Sequence, residues 1–312
     1  MPGVAVAAGL ALGVVADDIL GDPCRGHPVA GYGRLVTALE KRSYADDRPR
    51  GAFFALLALV PLVFGARRVD VAVRTRPLAR TALLALATWT VLGARSLRDV
   101  GAAMADHLAA GDSAAARALL PSLCGRDPHG LDDTGLTRAC IESLAENTSD
   151  AVVAPLLWGA VGGLAGLLGY RAVNTLDAMV GHRSPRYEQF GTAAARLDDA
   201  ANLVPARVAA GLSLAVAPFV GGSVRAGWTA WRADAAAHPS PNAGVCEASA
   251  AGVLGVRLGG RTVYTGRVEQ RPELGPDREP VVADIWRMIR LSRAIELGAL
   301  GVAAVIAVRG RR

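Results

Sequence analysis

The stretch from Ala151 to Tyr170 carries no charged side chain, and three acids, Glu142, Glu146 and Asp150, lead into it. A helix needs about 20 mostly apolar residues to cross a bilayer, and this segment meets that requirement most clearly. Five further segments approach it: Val4 to Leu20, Ala52 to Ala66, Leu78 to Gly93, Val208 to Val224 and Ala294 to Val308. The first reads either as a span or as a buried helix, and Pro61 is expected to kink the second. The 312-residue chain is 52% hydrophobic but only 5% aromatic. Its apolar content is therefore mostly Ala, Val, Leu and Gly, an unusual balance for a soluble enzyme. The expectation is a mainly α fold, a polytopic α-helical membrane protein of one domain over residues 1–312, whose polar, partly helical loops form the site.

The remaining composition excludes more than it suggests. A net charge of +6 and a pI near 9.6 invite nucleic acid as a partner. No basic run is interleaved with aromatics, however, and basic loops beside apolar segments are what a membrane protein needs. Lys41 is the only lysine, which rules out a phosphate-loop lysine and leaves no setting that suggests a Schiff base. Cys24, Cys124, Cys140 and Cys246 lie far apart, with no paired metal spacing and no call for disulfides. Met1 to Leu12 lacks a basic leader and reads as a membrane segment or buried helix rather than a cleaved signal. No phosphate-loop, zinc-protease or serine-hydrolase motif is present.

Topology raises a conflict. Arg67, Arg68, Arg74 and Arg76 place their short loop in the cytoplasm. If all six segments cross, the loops after Leu20, Gly93 and Val224 lie on the other side, apart from the polar stretch Arg171 to Arg207. A single site drawing on both requires that Ala151–Tyr170 or Leu203–Val224 is not a simple span.

Four constellations carry chemistry. The first is Asp17-Asp18 with Asp22-Pro23 and His27-Pro28; acids at the end of an apolar segment need pairing, hydration or a cation. The second is Glu142, Ser143, Glu146, Asn147 and Asp150, where on one helix the three acids share a face and Arg138 is the only close cation. The third is Asn174, Asp177, His182 and Arg183, followed by Arg196, Asp198, Asp199, Asn202 and Arg207; Asp198 and Asn202 share a helix face, as do Arg196 and Asp199. Such a mixture offers oxygen ligands to a hard cation and guanidinium donors to phosphate. The fourth is His238, Ser240-Pro241-Asn242, Gly244 and Glu247, then Arg257, Gly259-Gly260, Tyr264 and Gly266; glycines beside an arginine suit an anion, and a tight turn explains them equally well. The alternatives for the first three are a solvated helix end with a Gly-Asp-Pro turn, a solvated helix face and an intramembrane ion-pair network.

In order and spacing these blocks resemble the cobalamin-biosynthesis family CobD/CbiB, the adenosylcobinamide-phosphate synthases, over nearly the whole chain. The resemblance rests on Asp17 with Gly21-Asp22-Pro23, on His27-Pro28-Val29, on Glu142-Ser143 with Ala145-Glu146-Asn147, and on Asn174-Thr175-Leu176-Asp177. It continues through Phe190-Gly191, Ala195-Arg196-Leu197-Asp198-Asp199, Asn202 with Pro205-Ala206-Arg207, Ser240 to Gly244, and Gly255 with Arg257-Leu258-Gly259-Gly260. Ala165 departs from the Pro usual in a Gly-x-Pro-Gly turn, Val245-Cys246 replaces Trp-Pro, and His182 stands where an aromatic is common.

The resemblance implies a cell-membrane, multi-pass enzyme with a cytoplasm-facing site. Its implied reaction is ATP-dependent amide formation between aminopropanol, or its phosphate, and a propionate of adenosylcobyric acid. ATP with Mg2+ and the corrinoid are the implied ligands, and a partner protein supplying substrate is compatible with it. Within that reading Glu142, Glu146 and Asp177 are catalytic candidates. Glu142, Glu146, Asp150, Asp198 and Asp199 are candidates for the metal. Arg196, Arg207 and Arg257 are assigned to phosphates, His27 and His238 to the base, and Asn147, Asn174, Asn202, Ser240 and Asn242 to substrate. The rival is a non-catalytic membrane transporter or sensor.

Overall fold

A computed structural model of the chain describes residues 2–23, 26–182, 184–264 and 267–310. Cys24, Arg183 and Gly266 lie outside the described residues, as does the side chain of Tyr264. In chain order the helices are α1 (Pro2–Leu20), α2 (Pro28–Ser43), α3 (Arg48–Val73), α4 (Pro77–Val91), α5 (Ala94–Ala109) and α6 (Ser113–Leu119). They continue as α7 (Asp133–Thr148), α8 (Ala154–Leu176), α9 (Thr192–Val216), α10 (Val224–Asp234) and α11 (Ala243–Leu254). A hairpin of strands β1 (Leu258–Tyr264) and β2 (Arg267–Leu274) precedes the last helix, α12 (Val282–Arg309). Six helical stretches are long and apolar enough to cross a membrane, and α11 is too short. The protein is thus mainly α and polytopic.

Two compact units divide the chain. One comprises the chain up to Gly93, Asp150–Asn202 and the end from Ala299; the other comprises Ala94–Ser149 and Leu203–Gly298.

In the first unit α1 lies along α4. Gly9 and Gly13 form the contact: a Cβ at Gly9 would come 2.6 Å from Leu84 Cβ, and one at Gly13 would strike Thr88. Small residues one turn apart let helix backbones approach in a setting where lipid removes most of the hydrophobic incentive. Arg80 and Asp70 join α4 to α3 through paired hydrogen bonds of 2.7 and 2.9 Å, which offsets the cost of two largely buried charges. α3 continues past Ala66 to Val73 and runs unbroken through Pro61. Val36, Phe54, Leu176, Val180 and Phe190 form a separate core.

α8 is two helices. Gly163 has φ 62° and ψ −141°, outside the helical region. A Cβ at Gly166 would collide with the carbonyl of Trp158, and Leu167 Cβ lies 3.6 Å from the position of a Cβ on Gly159. Eight residues of straight helix cover about 12 Å, so the chain must reverse. The Gly163–Gly166 turn folds the charge-free segment into a helical hairpin whose two ends return together. The segment with the strongest spanning signal is therefore not a simple span.

In the second unit α10 packs on α11, where a Cβ at Gly227 would come 2.6 Å from Val253 Cγ2. α7 packs on α5 and α11, and Thr148 Oγ1 lies 2.7 Å from Ser292 Oγ of α12. All twelve residues of α11 are buried. The Gly259-Gly260 pair is part of strand β1 rather than a loop turn. The register shifts between Leu258 and Gly260, both glycines have positive φ, and a Cβ on Gly259 would meet the Pro272 carbonyl. This is bulge geometry that glycine adopts without strain.

Candidate active site

In the first unit the hairpin and α9 build a polar network. Tyr170 Oη lies 2.8 Å from Asn202 Oδ1 and 3.0 Å from the Asp150 carbonyl oxygen, so one proton serves two acceptors. Asn202 Nδ2 donates to Asp198 Oδ2 at 2.9 Å, one helical turn back. Asn174 Nδ2 approaches Asp198 Oδ1 at 3.4 Å, and Arg171 donates to Asn174 Oδ1 at 3.4 Å. The expected residues Asn174, Asp198 and Asn202 thus come together. Tyr170 and Arg171, which the sequence reading did not single out, complete the chain of contacts.

The other candidates of this unit are placed differently. Asp177 opens a π-helical turn, Asp177–Gly181, in which Gly181 leaves room for its carboxylate. Arg196 and Asp199 are exposed on α9. His27 caps α2: its Nδ1 accepts from the Val29 amide at 3.2 Å, and its Nε2 lies 3.9 Å from Asp22. The lone pair a base needs is therefore used by the backbone.

The acids of the second constellation divide between the two units. α7 ends at Thr148 and gives way to a π-helical turn, Ser149–Val153. Asp150, in this turn, falls in the first unit, and Glu142 and Glu146 fall in the second.

In the second unit Glu142 is buried. Its Oε2 pairs with Arg126, and its Oε1 accepts from the Gly259 amide at 2.6 Å. Arg126, from the turn before α7, and not the sequence-near Arg138, supplies this charge. Glu146 lies one turn further on, within electrostatic reach of Arg271 and Arg126. Glu247 of α11 faces the same cluster with both oxygens buried; His238 Nε2 and Arg271 each lie 3.8 Å from its Oε1. Burial, with Glu142 and Glu146 nearby, holds the Glu247 carboxyl well above the usual carboxylate range. Burial also pushes the His238 imidazole below its usual value, toward the neutral form. His238 Nδ1 lies 3.1 Å from both the amide and the carbonyl of Ser240, and its Nε2 is 3.4 Å from Arg271.

Ser240 Oγ accepts from the Ala243 amide at 3.1 Å and organises the start of α11. Arg207 donates to Asn242 Oδ1 at 2.8 Å and to the Leu203 carbonyl at 3.1 Å. Asn147 turns back on its own helix, donating to the Ser143 carbonyl at 2.9 Å. Arg257 is engaged by Glu279 and Glu273, an arrangement that satisfies its charge without a phosphate. An open cleft of roughly 510 Å3 borders Arg207, His238 and Pro241.

Sequence reading missed Arg126 and Arg271 as members of the site. Glu247, named in the fourth constellation, is the one acid in the otherwise uncharged helix α11. The expected metal set divides between the units, with Glu146 in one and Asp150, Asp198 and Asp199 in the other. Among the described residues these four carboxylates do not converge as a group of three ligands. Asp198, flanked by amides, suits a magnesium ion of the kind held by one or two carboxylates and completed by substrate phosphates.

A polytopic α-helical membrane protein with two polar side-chain networks, built from its loops and helix ends, is the class these features define. The chain belongs to the CobD/CbiB family: the family described as "CobD/Cbib protein" matches residues 10–292. It is 52% identical over 306 residues to the protein of Mycobacterium tuberculosis H37Rv named "Cobalamin biosynthesis protein CobD", covering 98% of this chain and 97% of the relative. Proteins of the same name from Geobacter metallireducens and Rhodobacter capsulatus are each 43% identical, covering 94% and 91% of this chain and 94% and 90% of their own lengths. No solved structure matches the chain.

Proposed function

We propose that this protein acts in cobalamin biosynthesis as an adenosylcobinamide-phosphate synthase, joining aminopropanol or its phosphate to a propionate of adenosylcobyric acid at the expense of ATP. The observation that carries the reading is the family match across residues 10–292.

The chemistry follows from the weakness of a carboxylate as an acyl donor. Its oxygen attacks the γ-phosphorus of ATP, the bond to the β-phosphate oxygen breaks, and ADP leaves. The amine, deprotonated, attacks the resulting acyl phosphate; phosphate leaves, and the amide forms with release of one proton. In the first unit Asp198 would hold a magnesium ion, which would supply neutralisation of charge on phosphate oxygens. Asn174 and Asn202 hold the Asp198 carboxylate in place. Arg207, kept in orientation by Asn242, contributes fixed positive charge for phosphate oxygens.

The candidate proton acceptors, His27 and His238, both direct their ring nitrogens to protein groups. His238 is the better candidate because burial keeps it neutral and it borders the cleft. ATP is a cytoplasmic substrate, so the site is assigned to that face of the membrane.

A transporter reading draws on one observation, the helical hairpin at Gly163, since broken helices also line transport sites. The deciding experiment supplies detergent-solubilised protein with adenosylcobyric acid, magnesium-ATP and either amine, and reads the product by mass. A product with one amine supports the synthase and identifies the amine. No product from folded protein with either amine favours the transporter or sensor.

A further inference from the structure

The cleft in the second unit is lined from α9, α10, the turn after α10, and α11 through Val245. α9 contributes Arg207, the end of α10 contributes Trp231 and Arg232, and the following turn contributes His238, Pro239 and Pro241. Its volume, roughly 510 Å3, falls within the ~300–1,000 Å3 range of small-molecule sites.

Charge sets the kind of ligand. Most buried acids of this unit are matched to arginines, Glu142 to Arg126 and Glu296 to Arg98 among them. Arg207 and Arg232 are not. Arg207 makes hydrogen bonds only to neutral oxygens, from one terminal nitrogen, and Arg232 stands over the ring of Trp228 at 5.6 Å. Among the described residues no carboxylate pairs with either. Two uncompensated guanidiniums on one cleft call for an anion, and guanidinium geometry favours phosphate.

The remaining surface is flat and apolar. Trp231, held edge to face against Trp228 with centroids 5.5 Å apart, and the two prolines offer faces for an aromatic ring. The rim is also fixed in position. A Cβ at Gly244 would come 2.5 Å from His238 Cβ and 2.7 Å from the Ala235 carbonyl, so glycine lets α11 close against the turn.

We infer that this cleft is a nucleoside triphosphate site, with phosphates on Arg207 and Arg232 and the base against Trp231. The inference rests on the ATP-dependent reading above and gives the nucleotide a location. A phosphorylated amino alcohol would use the arginines but has no ring for Trp231. The headgroup phosphate of an anionic lipid is the other source of the same anion chemistry.

The test is direct titration of magnesium-ATP into the full chain in a neutral detergent, compared with Arg232→Ala, Trp231→Ala and Trp231→Phe, each checked by thermal melting. Arg232 is exposed, so its removal leaves the fold intact. Arg232→Ala and Trp231→Ala are each expected to weaken ATP by about tenfold, with Trp231→Phe close to wild type. Inorganic triphosphate should respond to Arg232→Ala and not to Trp231→Ala. Unchanged ATP affinity in both alanine variants overturns the assignment. So does a loss confined to aminopropanol phosphate, or displacement by phosphatidylglycerol micelles with no effect of ATP. Wild type that makes the amide while neither variant alters ATP binding removes the cleft but leaves the reaction. ATP binding through Trp231 and Arg232 without amide product leaves the cleft and removes the reaction.

Discussion

Tyr170 Oη lies 3.0 Å from the carbonyl oxygen of Asp150, twenty residues earlier in the chain. A straight helix would separate those residues by about 30 Å. This contact joins the two ends of the uncharged segment, and it depends on the reversal at Gly163. The hairpin brings the π-turn that carries Asp150 beside the end of α8 and beside Asn202. A segment that by composition crosses a membrane instead serves as the scaffold of a polar network.

The reversal depends on glycine at two positions. Gly163 adopts φ 62°, and Gly166 packs where any Cβ would strike the Trp158 carbonyl. Gly166→Ala is expected to destabilise the protein by roughly 1–3 kcal/mol through overpacking, and Gly163→Val by a similar amount through backbone strain. Thermal melting in detergent reads both, and wild-type midpoints would show that the hairpin tolerates a Cβ.

Tyr170→Phe leaves Asn202 Oδ1 and the Asp150 carbonyl without their shared donor. The expected cost is about 1–3 kcal/mol. Because Tyr170 and Asn202 act through one hydrogen bond, the double variant with Asn202→Ala should cost less than the sum by at least ~0.5 kcal/mol. A double-variant cycle measured by denaturation checks this, and strict additivity would argue against the contact.

Glu142 is held by Arg126 on one side and the Gly259 amide on the other. Glu142→Ala strands a buried guanidinium, with an expected loss of about 3–5 kcal/mol. Arg126→Met paired with Glu142→Gln should recover a large part of that loss. Equal instability in the single and double variants would show that the charge pair is not what matters.

His238 gives a pH signature. Its folded-state pKa lies below the unfolded value of 6.5 because burial disfavours the cation, so the unfolded chain binds the extra proton first. Its contribution to stability is complete above pH 6.5 and is lost as pH falls from there toward the folded pKa. Glu247 works in the opposite sense: its raised folded pKa lowers stability as pH rises above the ordinary carboxylate value of 4.5. His238→Asn should therefore flatten the acid-side loss while leaving the Glu247 trend. Parallel stability curves for variant and wild type below pH 6.5 would refute the His238 assignment.

Much of this protein is legible from residue order alone. Hydropathy is a sum over neighbours in sequence, so α1, α3, α4 and α12 emerge as apolar runs close to their true positions. Their ends are less legible: α3 extends to Val73 because its charged final turns find partners such as Arg80 for Asp70. The i to i+4 relation of Asp198 and Asn202 is equally local and appears as a hydrogen bond of 2.9 Å. The blocks of acids, amides and arginines, and through them the family, are also properties of order and spacing.

Tertiary structure decided which of those residues meet. The sequence placed Arg138 nearest the acids of α7, yet Arg126 and Arg271 are their charge partners, because ion pairs form through space and long side chains span turns. It grouped Asp150 with Glu142 and Glu146, and the fold assigns Asp150 to the other compact unit. Composition cannot distinguish a crossing from a hairpin, since both are equally apolar. The difference lies in one backbone dihedral at Gly163 and the room left by an absent Cβ at Gly166.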